Sequence, residues 1–142
     1  RLEMIEAARS LLAAYADAVD AQDFDALSGL FTPDAVLTAG ARRIAGRDAI
    51  VEFYRAVFTD DPSTRRHFIT NVRVTDASST DVTLASYFLY LAGTGGESIL
   101  GWGRYVHRCT RDGQDVRMNT KQIDIGFRGP VAAAWGAALS TS

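Results

Sequence analysis

Only two histidines occur in the 142-residue chain, His67 and His107, so imidazole chemistry must run through one of them. His67 sits in Arg65-Arg66-His67-Phe68-Ile69-Thr70-Asn71-Val72-Arg73-Val74, a run of β-branched and aromatic residues without Gly or Pro. Such a run reads as a β-strand. Strict alternation puts His67, Ile69 and Asn71 on one side and Phe68, Thr70 and Val72 on the other. A buried histidine needs a hydrogen-bond partner, since an unsatisfied polar group costs roughly 1–3 kcal/mol. Asp20, at the end of an earlier amphipathic segment, is the candidate. With a reference pKa near ~6.5, a histidine can take a proton at neutral pH, and a carboxylate at its other ring nitrogen selects the tautomer. That pairing suits removal of a proton next to a carbonyl or other activating group, followed by loss of water or halide. The competing reading is a structural histidine, with Asn71 and Asp20 satisfying it.

Asp20 is placed by Ile5, Ala8, Leu12, Tyr15 and Val19, which recur at three- and four-residue spacings. They predict a helix from about Glu3 to Ala21. An acid in the last turn opposes the helix macrodipole, by about 0.3–1 kcal/mol, and local rules are broken most often at functional sites. Asp23 caps a short second helix, Phe24 to Leu30, with Phe31 on its buried side. Ala35 to Thr38 reads as a short strand and Ala39-Gly40-Ala41 as a turn. A third helix follows Gly46-Arg47-Asp48, with Ile50, Phe53, Tyr54, Val57 and Phe58 on one face. Beyond the His67 strand come Asp81 to Ala92, Glu97 to Thr110 and Val116 to Phe127, the last two joined by the hairpin signal Asp112-Gly113. Helices followed by an antiparallel meander make an α+β architecture. The whole chain, 1–142, reads as one domain, with Gly129-Pro130 closing the sheet and 129–142 an Ala-rich tail anchored by Trp135.

Composition bounds the partners. At 47% hydrophobic and 23% charged, with net charge −2, the chain has the balance of a globular domain and no electrostatic footprint for nucleic acid or an acidic membrane. No apolar run reaches a membrane span. The single Cys109 cannot form an internal disulfide, which fits a cytoplasmic location. Gly93-Thr94-Gly95-Gly96 fails the dinucleotide fingerprint, and no P-loop or nucleophile elbow is present. His67, His107 and Cys109 lack the spacing of a zinc site. Cofactor-free, metal-free catalysis is the remaining enzymatic option. Strand residues apolar on both sides (Tyr87 to Leu91) predict a homodimer or homotrimer built on the outer sheet face.

Tyr15-Ala16-Asp17-Ala18-Val19-Asp20, Leu30-Phe31-Thr32-Pro33-Asp34-Ala35, Gly46-Arg47-Asp48-Ala49-Ile50, His67 to Val74, and Gly103-Arg104-Tyr105 with Asp112-Gly113 together resemble the SnoaL-like branch of the NTF2-like (ketosteroid isomerase-like) superfamily. The resemblance spans roughly Glu3 to Gly126. It implies a cone-shaped roll, in which a curved, mostly antiparallel sheet wraps about three N-terminal helices and encloses a pocket. Dehydratases and a dehydrochlorinase of the superfamily pair a first-helix Asp with a strand His, positions matched by Asp20 and His67. One dehydratase also has a Tyr five residues before its Asp, as Tyr15 stands before Asp20; another has a Tyr directly before it, where this chain has Val19. The superfamily's dioxygenase small subunits are mainly structural.

The expected reading is therefore a cofactor-independent lyase or isomerase acting on a mostly apolar, cyclic small molecule, or else a non-catalytic binding or assembly subunit; a cyclase or hydrolase on the same scaffold is a third reading. The candidate catalytic residues are Asp20, His67 and Tyr15. Tyr54, Phe58, Asn71, Trp102, Arg104 and Thr120 are the expected pocket lining, with Gln122 on the same side as Thr120 and His107 opposite Trp102 and Arg104. Core packing is the alternative for both tyrosines, and an ordinary salt bridge for Arg104.

Overall fold

The computed structural model describes residues 1–61, 63–94 and 96–131. Its elements are α1 (Leu2–Ala21), α2 (Phe24–Gly29), β1 (Phe31–Ala39), β2 (Arg42–Ala45), α3 (Arg47–Thr59), β3 (Thr64–Ala77), β4 (Asp81–Thr94), β5 (Glu97–Asp112) and β6 (Asp115–Pro130). The strands form one six-stranded sheet in the order β2-β1-β6-β5-β4-β3. β3 to β6 are an antiparallel meander, and β1 pairs parallel to β6. The result is the α+β, NTF2-like fold expected, an open, curved, mixed sheet with the helices on its concave side.

The helical periodicities hold because each stripe meets the sheet. Met4, Ala8, Leu12, Tyr15 and Val19 of α1 are buried against β3, β4 and β6, and Ile50, Tyr54 and Phe58 of α3 face the same core. α1 ends in a left-handed residue, Gln22 (φ 53°), after which the Asp23 N–H donates to the Ala18 carbonyl at 2.9 Å. Such a C-terminal wrap satisfies carbonyls that the last turn leaves open. Asp23 then caps α2, accepting from the Ala26 N–H at 3.0 Å. These two caps, on the adjacent residues Gln22 and Asp23, set the bend that leaves Asp20 at the edge of the sheet.

Two strand assignments differ from the sequence expectation. β1 starts at Phe31, so Thr32-Pro33-Asp34 lies in a strand whose ladder to β6 is interrupted between Phe31 and Val36. The interruption is what admits Pro33, which has no N–H to give a ladder. Arg42–Ala45, between the expected turn and the third helix, forms β2, folded back on β1 around Gly40 (φ 59°). At the other end β6 runs through Gly129 and Pro130, paired with Leu100 and Ile99. Those two residues thus belong to the sheet and not to the tail; the remainder of the expected tail, with Trp135, lies outside the described residues.

One irregularity decides which side chains face inward. Asn71 takes a left-handed conformation (φ 54°), and the β3–β4 register jumps from Thr70↔Tyr87 to Arg73↔Ala85. Two residues, Asn71 and Val72, therefore stand opposite Ser86 alone. This is a β-bulge, and Asn is among the few residues that tolerate such a φ. Before the bulge Arg65, His67 and Ile69 point inward; after it Val72 and Val74 do.

Candidate active site

Asp20 and His67 meet at the junction of α1 and β3. The Asp20 carboxylate uses both oxygens on one residue: Oδ2 accepts from the His67 backbone N–H at 2.8 Å, and Oδ1 lies 2.5 Å from His67 Nδ1. The side chains are 12% and 7% exposed, so solvent screens the pair little. A carboxylate at Nδ1 places the ring proton there and leaves the Nε2 lone pair free. Nε2 has no hydrogen-bond partner among the described residues. Burial lowers the pKa of His67; its bond to Asp20 opposes that shift, and the charges of Arg65 and Lys121 add to it. At neutral pH the ring is thus uncharged and able to accept a proton.

His67 lines a cavity of about 620 Å³ between the sheet and α3. Its walls are mostly aromatic and aliphatic, including Phe53, Tyr54, Phe58, Phe88, Tyr90, Tyr105, Ile99 and Ile123. The Tyr90 ring lies 5.3 Å from the His67 ring, and Arg65 is sandwiched with its guanidinium carbon 5.0 Å from the Phe58 ring and 5.1 Å from the Tyr90 ring. Arg65 also pairs with Asp61, while Arg128 Nε donates to the Tyr90 hydroxyl at 2.8 Å. The volume falls within the range of small-molecule pockets, about 300–1,000 Å³.

Tyr15 and Tyr54 both reach this cavity, and their hydroxyl oxygens are 2.6 Å apart. Burial raises both phenols above their ordinary pKa, so both stay protonated. One hydroxyl proton is used between them, which leaves the other able to donate to a ligand oxygen.

The remaining expected pocket residues lie elsewhere. Asn71 is exposed, because the bulge at Asn71 itself turns it out of phase with His67. Trp102 is 50% exposed on the outer face, lying over Gly126. Arg104 shares that face, 5.5 Å from the Tyr87 ring. Thr120 and Gln122 also point outward, and it is Lys121 that points in. His107 is indeed opposite to Trp102 and Arg104, but on the inner side of β5 together with Gly101, Gly103, Tyr105 and Cys109. The physical reason is the β4 aromatics. A Cβ at Gly101 would run into the Tyr90 ring, and one at Gly103 into the Phe88 ring and the Asp124 carbonyl, so the inner face of β5 must be bare there. Glycines alternating with Trp102 and Arg104 were the available signal for that face. Reading it would also have drawn in Tyr105 and, on the neighbouring strand, Lys121. Cys109 is wholly buried, and burial pushes its thiol up to about 12, which removes it as a nucleophile. Among the described residues no cluster of His, Cys, Asp and Glu could hold a metal ion, and no helix is long and apolar enough to cross a membrane.

An α+β cone, in which N-terminal helices pack on an open, curved six-stranded sheet, is the architecture of the NTF2-like proteins. Within that class the chain belongs to the SnoaL-like domain family, whose model matches residues 1–121. Among solved structures it is similar to a proposed aromatic ring hydroxylase from Novosphingobium aromaticivorans, with 27% identity over 92% of this chain and 95% of that one, at a TM-score of 0.80. It is likewise similar to a type 2 hexachlorocyclohexane dehydrochlorinase (22% identity, 93% and 91% covered, TM-score 0.81). A proposed scytalone dehydratase from the same Novosphingobium species shares the fold at 16% identity (92% and 89% covered, TM-score 0.81). No curated protein matches the chain in sequence.

Proposed function

We propose that the protein is a cofactor-free lyase or isomerase that moves a proton on a mostly apolar, cyclic small molecule. His67 Nε2 removes a proton next to an activating group. Asp20 holds the tautomer and stabilises the imidazolium as it forms. Tyr15, backed by Tyr54, donates a hydrogen bond to the substrate oxygen or leaving group. The observation that carries this reading is the double grip of Asp20 on His67 at the wall of the cavity. A merely structural histidine needs one partner and no free nitrogen beside a 620 Å³ space. The names of the similar structures, a dehydrochlorinase and a scytalone dehydratase, point to the same kind of elimination.

The test is deuterium incorporation from D₂O into a panel of cyclic ketones, together with halide or water elimination from β-substituted rings. It is run on the native protein, His67→Ala, Asp20→Asn and the double variant. Groups acting as one unit are non-additive, so the double variant should be little slower than His67→Ala alone. Turnover per folded molecule that survives His67→Ala would end the proposal.

A second reading, an assembly subunit, is favoured by Phe68, Tyr87, Leu91 and Trp102, which are each 41–52% exposed on β3 to β5, and by the likeness to a proposed ring hydroxylase. A protein that elutes alone, folded and active, would exclude it.

A further inference from the structure

Lys121 is the only lysine among the fifteen Lys and Arg residues of the chain, and it is 1% exposed. Its Nζ lies 2.6 Å from His107 Nε2, 3.8 Å from the centre of the Tyr15 ring and 3.5 Å from that of Tyr105. Among the described residues it has no salt bridge to a carboxylate. The two rings stand at 88° to one another, so the amine sits in a corner made by their faces. An ammonium has three N–H donors, and here three acceptors are offered: one imidazole lone pair and two aromatic faces. The groups turned toward this corner are Tyr15 from α1 and Tyr105, His107 and Cys109 from β5, with Asp20 and His67 acting from farther off. Behind the Tyr15 ring is the cavity, where the Tyr15 hydroxyl meets that of Tyr54.

We propose that Lys121 is a positioning residue that supplies the counter-charge for an oxyanion formed on the Tyr15–Tyr54 hydroxyl pair, so that the substrate reacts as an enolisable carbonyl compound. The proposal rests on the reading above and narrows its substrate class. No carboxylate among the described residues pairs with this ammonium, and burial pulls it toward losing its proton. When His67 takes a proton from the carbon next to a carbonyl, the C–H electron pair moves into the C=C bond of an enolate and the negative charge moves to the carbonyl oxygen. A cation over the face of the Tyr15 ring, 3.8 Å from its centre, is then favourable where it was costly before. Interactions that strengthen only as charge develops raise the rate rather than the ground-state affinity. An elimination that sends halide out from an unactivated ring has no such oxygen, and Lys121 would do nothing for it.

The test uses two small probes, 4-nitrophenolate, whose oxygen carries the charge, and 4-nitroanisole, its neutral counterpart. Lys121→Met keeps the length and the apolar fit but removes the charge. It should weaken phenolate binding at pH 8 by about ten-fold or more and leave the anisole within two-fold, whereas a purely structural lysine would weaken both alike. Equal weakening of the two probes, or none, overturns the proposal. If Lys121→Met fails to fold, the native protein decides. With ¹³C,¹⁵N-lysine labelling it has a single side-chain signal, which should move to the ammonium position on addition of 4-nitrophenolate and not of 4-nitroanisole. A signal indifferent to millimolar phenolate overturns the idea. None of these measurements uses turnover, so they can fail while His67 remains a base, and the His67→Ala result can fail while they succeed.

Discussion

Replacing Asp20 by asparagine changes an oxygen into an NH₂ group, and the geometry dictates which one. The His67 backbone N–H is a fixed donor, 2.8 Å from Oδ2. The new amide must therefore turn its oxygen there and its NH₂ toward Nδ1. That NH₂ needs an acceptor, so Nδ1 gives up its proton and Nε2 takes it. The ring then faces the cavity with an N–H where the mechanism needs a lone pair. Asp20→Asn should lower turnover about 10²–10⁴-fold, the usual worth of a general base.

Two charge-assisted bonds become neutral ones, each losing about 1 kcal/mol, and both partners are buried enough that solvent screening is small. The stability cost is thus about 2 kcal/mol, or a fall in Tm of roughly 8 °C for a chain of this length. The assay pairs thermal unfolding and turnover with ¹⁵N spectra of the histidine rings, in which His107 supplies the reference. If Asp20→Asn keeps Nδ1–H in the spectrum, or lowers Tm while turnover per folded molecule is unchanged, the tautomer argument is wrong.

The slope of stability against pH should steepen in acid. His67 and His107 both have pKa values lowered by burial, so below about pH 6.5 the unfolded chain takes up protons that the folded one refuses. Each adds up to about 1.4 kcal/mol per pH unit, which urea unfolding between pH 7.5 and 5 will read, and His107→Gln should flatten the slope. Trp102→Ala and Arg104→Ala should leave probe binding in the cavity within two-fold, since both side chains lie on the outer face, and calorimetry with 4-nitroanisole checks it. Light scattering should give the mass of a dimer or trimer for the native protein, with Trp102→Ala shifting it toward monomer. Gly103→Ala should cost about 1–3 kcal/mol by denaturant unfolding, because its Cβ has the Phe88 ring and the Asp124 carbonyl in its way.

Local patterns in the sequence determined a good deal. The three-and-four spacing of α1 and α3, the Asp23 cap and the turn at Asp112-Gly113 depend on residues close in the chain, and each is present in the fold. The family likeness also rests on short local segments, Tyr15 to Asp20 and His67 to Val74 among them. What alternation could not decide was which side of β5 and β6 faces inward. Both sides carry large residues, and a period of two is satisfied equally by Trp102 with Arg104 or by Tyr105 with His107. The choice was made by rings from another strand, Phe88 and Tyr90, which fill the space that a side chain at Gly101 or Gly103 would need.

Only the tertiary structure, likewise, brought β1 beside β6 in parallel, because the two strands are far apart in the chain and nothing local links them. The same holds for Asn71. Its left-handed φ is a local tolerance of asparagine, but the register jump that makes the bulge belongs to the β3–β4 pairing. Lys121 is the plainest case. A lysine between Thr120 and Gln122 reads as a solvated strand residue, and it is buried because the strand's register, set by β5, aims it at the corner between Tyr15 and Tyr105.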